Sequence, residues 1–180
     1  MALSTVVTTL IILVVSVLLA GVVTYFAINV TSTRVQEESI TMQKIHVWCD
    51  KSGDTQAAFL LINTGGRDIV INKITVRGQT AAWTTIKTCV PAATITKDLS
   101  YSSDLAKIWL DDTEGTDALE SNTGAVVFKS GTSLVVYIDT PDSITINDIG
   151  LTVGVTVFTS QAMYYQEANV QAYVAASGSS

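Results

Sequence analysis

The sequence predicts an α+β protein: a long hydrophobic N-terminal α-helix followed by an antiparallel, immunoglobulin-like β-sandwich head. Three observations predict it. No Asp, Glu, Lys or Arg precedes Arg34 in a chain of 180 residues. An apolar run, VVTTLIILVVSVLLAGVVTYFAINV, fills residues 6–30. After Thr41 the hydrophobic period changes from helical to two, across about eight short strands separated by turn residues. The chain divides accordingly into a helix (1–42), a head (43–174) and a small, polar tail (175–180) expected to fray.

The apolar run exceeds the roughly 20 residues that cross a bilayer as a helix. It lacks the basic start and short apolar core of a secretory signal peptide. It also lacks the flanking Lys or Arg of an ordinary anchor, and a buried core helix rarely runs so far without a charge. A helix that resides in the membrane and later buries itself against its own copies fits better. Val, Ile and Thr form helix poorly in water, but unmet backbone groups enforce helix in lipid or a bundle. Ser16, Ala20, Gly21 and Ala27 let helices approach closely. From Thr31 the pattern becomes amphipathic. Val35, Ser39 and Met42 lie on one side, with Arg34, Glu37 and Glu38 elsewhere, so the helix is expected to reach about Ile40, roughly 60 Å in all.

In the head, Lys44–Cys49 and Gln56–Ile62 read as the first two strands. Asn63–Asp68 (NTGGRD) reads as a hairpin turn, with Gly65 and Gly66 at positive φ. Asp68–Arg77 is the third strand. Its apolar residues shift face between Ile71 and Ile74, which places a bulge near Asn72–Lys73. Trp83–Cys89 and Ala93–Lys97 are weaker strands. Gly124–Lys129 and Ser133–Asp139 form a hairpin around Ser130–Gly131. Gly150–Thr159 sets Leu151, Val153, Val155 and Val157 on one face, and Gln166–Val174 closes the sheet. Pro91 and Pro141 fall between strands.

Composition narrows function. The net charge is −6 with ten scattered Lys and Arg, which speaks against nucleic acid, since that needs clustered cations. Cys49 and Cys89 are the only cysteines. They are expected either as a disulfide or as two reduced buried thiols; the bond would contribute about 4 kcal/mol by chain entropy. His46 is the lone histidine and has no neighbouring nucleophile in the sequence. There is no phosphate-binding glycine loop and no zinc spacing, so neither an enzyme nor a cofactor is expected. Asp111, Asp112, Glu114, Asp117 and Glu120 gather carboxylates of the kind that bind calcium. Their spacing is not that of an EF-hand loop, and a solvated loop is the plainer reading. Asn29-Val30-Thr31 is the only glycosylation sequon, awkward to modify on a packed helix. Trp48, Trp83 and Trp109 are expected in packing rather than as adhesive platforms.

The start MALSTVVTTLIILVVSVLLAGVVTYFAINV, then TSTRVQEE and a β domain, resembles the mature form of archaeal type IV pilin-like proteins, a family that includes adhesion pilins and archaellins. The resemblance covers Met1 to about Glu38, and beyond that only the class of head. It implies a precursor whose basic leader is removed by a prepilin peptidase. It also implies a membrane stage before an ATP-driven assembly machinery extracts the subunit, and a homopolymeric extracellular filament with helices inside and heads outside. Bacterial type IV pilins usually carry Glu at the fifth mature position. Thr5 stands there if Met1 is the mature start, which favours the archaeal-type branch; the missing basic leader suggests a processed chain. Filament-core contacts are expected at Val6, Leu10, Leu13, Val14, Val17, Leu18, Gly21, Val22, Tyr25 and Ile28. The alternative is a membrane-anchored surface β domain that binds a partner or ligand.

Overall fold

The structure, a computed structural model, describes residues 2–35, 37–91, 94–105, 107–108 and 117–173. It divides into two compact units, residues 1–37 and 38–180. The first is a single helix, α1 (Ala2–Val35), of 34 residues, about 51 Å long at 1.5 Å per residue. It ends short of the expected Ile40. Residues 37–39 have no helical or strand structure, and Ile40 already opens a strand. The β-branched residues and the buried Ile40 and Met42 favour pairing there over another helical turn.

The head comprises β1 (Ile40–Asp50), β2 (Thr55–Asn63), β3 (Ile69–Val76), β4 (Gln79–Thr80), β5 (Ile86–Cys89), β6 (Lys107–Ile108), β7 (Asp117–Ala118), β8 (Glu120–Ser121), β9 (Val126–Phe128), β10 (Ser133–Asp139), β11 (Thr152–Thr159) and β12 (Met163–Tyr173). The expected sandwich has two separate antiparallel sheets. Instead, one sheet of ten strands runs in the order β4-β3-β11-β12-β1-β2-β10-β5-β8, with β9 paired to β3; β6 and β7 form a separate two-stranded ribbon. β12 joins the halves. Its residues 163–169 pair antiparallel with β11, and Val170–Tyr173 pair parallel with Val47–Asp50 of β1. The sheet therefore curls around one core.

That core combines Val47, Phe59, Leu61, Val136 and Ile138 from one half with Ile69, Ile71, Ile74, Val155 and Val157 from the other. A second cluster covers the opposite face of β1, β2 and β10, where Trp48, Leu60, Val135 and Tyr137 meet Leu99, Leu105, Ile108 and Leu119. Covering on both faces explains why β2 reads as the continuous apolar run AAFLLI rather than an alternation. β11 does alternate, with Val153, Val155 and Val157 buried. Leu151 precedes that strand and is exposed.

The bulge is where the sequence put it. Phe158 pairs with Lys73 and Thr159 with Ile71, so Asn72 is the extra residue. Both glycine hairpins differ. β2 pairs with β1 and β10, whereas β3 pairs with β11, β4 and β9, so 63–68 crosses between the halves. Buried Asn63 shapes the crossing. Its carboxamide oxygen accepts from Gly65 N at 3.0 Å, and its Nδ2 donates to the Arg67 and Phe128 carbonyls at 2.9 and 3.3 Å. Thr64 and Gly65 N–H donate to the Ser39 carbonyl. The Ser130–Gly131 segment likewise joins β9 to β10 across the halves. The two-residue hairpin lies instead at Arg77–Gly78, both at positive φ, between β3 and β4, as a type I′ turn requires. Trp83–Thr85 is a 3₁₀ turn before β5, and 94–97 forms no strand. The expected tail lies outside the described residues.

Arg77 and Asp148 clasp this end of the head. Asp148 Oδ1 accepts from the Arg77 guanidinium at 2.7 Å, while its Oδ2 accepts from Thr145 N and Oγ1, each at 2.8 Å. The Thr145 bonds, with help from Arg77 and against the pull of burial, hold the Asp148 carboxyl below the usual carboxylate range. A group with a depressed folded pKa stabilises the fold fully above its unfolded value, about 3.9, and the contribution disappears as pH falls through the folded value. Asp148→Asn is therefore expected to lower Tm by a few degrees at pH 7. The gap to the parent should narrow as pH falls below the ordinary Asp value, about 3.9, and through the lowered folded value; thermal melts against pH check it.

Candidate functional site

The helix α1 is the feature with the plainest functional content. It is the one described helix long and apolar enough to cross a membrane. Every residue from Leu3 to Ser32 is exposed in the single chain. Apolar side chains lie on opposite sides of it. At about 100° per residue, the ten expected contact residues, Val6 to Ile28, fall within about half the circumference. Ile12, Leu19, Val23, Phe26 and Val30 fall within an arc of about 60° near the middle of the other half and are as exposed. The signal that finds them is the missing charge rather than any periodicity.

Five polar side chains of α1 bond their own backbone. Thr8 Oγ1 donates to Ser4 O at 2.9 Å, Thr9 to Val6 O at 2.9 Å, Ser16 to Ile12 O at 2.7 Å and Thr24 to Ala20 O at 2.7 Å. Asn29 Nδ2 donates to Tyr25 O at 3.0 Å, so the nitrogen that a glycan would need is hydrogen-bonded to the helix. These local bonds remove the desolvation penalty of placing hydroxyls and amides away from water. The helix thus suits both lipid and a dry protein bundle. Gly21 has open space where a Cβ would stand.

The cysteines do not form a disulfide. Cys49 belongs to the main core and Cys89 to the second cluster, on opposite faces of the sheet. β2 and β10 lie between their strands. Three spacings of about 4.8 Å put their strands about 14 Å apart, already twice the reach of a disulfide. Period-two patterning within each strand could not reveal this, because it does not relate the faces of distant strands. Burial, then the neighbouring Asp50, pushes the Cys49 thiol up, leaving little thiolate to react. Dithiothreitol is therefore expected to leave Tm unchanged; a fall of about 8 °C or more would instead signal a disulfide.

The remaining sequence candidates are scattered. Asp111, Asp112, Glu114 and Trp109 lie outside the described residues, while Asp117 is in β7 and Glu120 in β8. Among the described residues, no group of three or more His, Cys, Asp or Glu side chains is placed to hold a metal ion. His46 Nε2 lies 3.1 Å from Asp98 Oδ1, and its ring stacks on Trp48 at 5.3 Å. Burial works to raise the Asp98 carboxyl, but the His46 contact, Leu99 N–H and Lys44 together hold it below the usual range. Trp48 is buried and Trp83 half-buried against the main core. The rings of His46, Trp48, Tyr101 and Tyr173 form a row. Tyr137, whose hydroxyl donates to Ser100 O at 3.0 Å, is pushed up to about 12 by burial.

No protein-family model and no curated protein matches this chain. Among solved structures, it is similar to an apo PmoF2 PCuAC domain at 13% identity and a TM-score of 0.43, covering 76% of this chain and 95% of that one. It is also similar to a β-glucosidase from Listeria innocua in complex with glucose, at 13% identity and a TM-score of 0.28. That match covers 77% of this chain and 16% of the enzyme. Likenesses of this strength assign no function to the chain.

Proposed function

We propose that this protein is the structural subunit of an extracellular, type IV pilus-like filament serving adhesion or swimming, assembled from identical copies after a membrane-inserted stage. One observation carries the reading: α1 carries no charge before Arg34 and is apolar on opposite sides, with Thr8, Thr9, Ser16 and Thr24 bonded to its own backbone. A helix apolar on opposite sides is stable only when both are covered. Lipid supplies that cover before assembly, and sister helices supply it afterwards. Repetition of one heterologous contact between copies generates an open helical polymer, with the β heads outside. The prepilin peptidase and assembly machinery enter as partners through the family resemblance of the first 38 residues.

The alternative, a surface β domain anchored permanently in lipid, makes a different demand on Gly21. A bulky apolar side chain there is harmless to a lone helix in lipid, since its Cβ meets nothing within 4 Å. It would hold neighbouring helices apart in a bundle. Gly21→Leu is expected to insert into membranes normally yet reduce filaments in the sheared fraction by about tenfold or more. Unchanged filament yield, scored by negative-stain microscopy, would favour a helix that stays in lipid.

A further inference from the structure

A cleft of about 400 Å³ opens beside the end of β12. Its walls include the half-buried rings of Tyr101 and Tyr173, with Ser102, Ser103, Asp104 and Ile108. The two rings stack with centroids 4.0 Å apart and an interplanar angle of 24°. Buried Trp48 meets Tyr101 edge-on at 6.4 Å.

The segment that carries Tyr101 is held rigidly. Gln56, 2% exposed, donates from Nε2 to Ser102 O and accepts from Ser102 N, both at 3.0 Å. Tyr137 fixes the Ser100 carbonyl two residues earlier. A buried amide in the apolar β2 strand is costly unless fully bonded, and both of these bonds go to this one segment. The platform is thus preorganised, which lowers the entropic cost of binding.

Its electrostatics have one sign. The charged groups that bear on the Tyr101 phenol are Asp54, Asp50 and Asp139, and Asp104 stands on the rim. Among the described residues no Lys or Arg lines the cleft; Lys51 lies beside Asp50 and offsets that carboxylate. Aromatic faces attract cations through their quadrupole, and the carboxylates add long-range attraction. Anions are repelled. A neutral sugar would find rings to stack on but none of the attraction that the carboxylates supply.

We propose that this cleft binds an organic cation, an alkylammonium or guanidinium group, against the Tyr101–Tyr173 rings with Asp104 as the counter-charge. The cation is carried either by a free amine or by a Lys or Arg side chain of a partner protein. The site is independent of the filament reading, because it lies wholly within the head.

The test is titration of the full chain, held in a non-ionic polyoxyethylene detergent, by calorimetry and aromatic NMR. The probes are tetramethylammonium, arginine amide, an arginine-containing hexapeptide, uncharged 3,3-dimethylbutanol and methyl glucoside. Saturable binding of the cations is expected at about 1–10 mM, with shifts at the Tyr101 and Tyr173 rings. Affinity should fall about tenfold in Tyr173→Leu and a few fold in Asp104→Asn, at an exposed position; thermal melts of both variants check that each is folded. Raising salt from about 50 to about 500 mM should weaken it further. Tighter binding of the hexapeptide than of arginine amide supports the site with a protein partner as its source; equal binding supports it with a free amine. No saturation by about 50 mM, equal binding of the uncharged analogue, preference for the glucoside, or affinity unchanged in both variants would each overturn the assignment.

Discussion

Leu18→Glu is expected to abolish filaments. Leu18 sits near the middle of α1, 64% exposed in the single chain, with no charged residue before Arg34. In lipid, an acidic side chain at the helix centre costs about 3 kcal/mol. In a packed helical core it costs several kcal/mol as an unpaired buried charge, and the cost recurs in every subunit. An assembly loss of about a hundredfold or more follows, since 1.4 kcal/mol is about tenfold in an equilibrium. Leu18→Met conserves volume and polarity and should assemble normally. Negative-stain counts of sheared material, normalised to expression, check both. Normal fibres from Leu18→Glu would show that this face of the helix is not covered by apolar neighbours.

The second large effect belongs to the head. Phe59 is fully buried in β2 at the centre of the main core, among residues from both halves of the curled sheet. Phe59→Ala removes the ring and leaves a cavity, at a cost of about 3–5 kcal/mol. That is a fifth or more of the stability of most domains, about 5–15 kcal/mol. Tm should fall by about 10 °C or more, read by near-ultraviolet circular dichroism of the full chain in micelles. Val127→Ala on β9, where the side chain is 62% exposed, should stay within about 0.5 kcal/mol of the parent. Similar melts for the two variants would mean that the two half-sheets do not share one core.

The parts of this architecture set by local chemistry were legible in the sequence. The helix follows from 33 residues without a charge, and β11 from its alternation. The bulge at Asn72 follows from apolar residues that change face within β3. Strand partnership was not legible. Gly65–Gly66 and Gly131 mark where the chain turns, but a turn signal does not say whether the next strand returns beside the last or crosses to the other half. The parallel pairing of β12 with β1 joins residues more than 120 positions apart, and no local pattern encodes it. The cysteine pairing failed for the same reason, because strand order decided which face each thiol occupies. The aromatic row draws on residues 46, 48, 101 and 173, which only the tertiary fold assembles.

The most direct test of the central claim is a photo-reactive benzophenone side chain in place of Phe26, activated on intact cells before shearing. Phe26 is 67% exposed and lies on the half of α1 opposite Val6 and Leu13. If sister helices surround α1, illumination yields a ladder of covalent dimers and higher oligomers of this chain in the sheared filament fraction. Adducts to lipid alone, with monomers confined to the membrane fraction and no oligomers in sheared material, would contradict it.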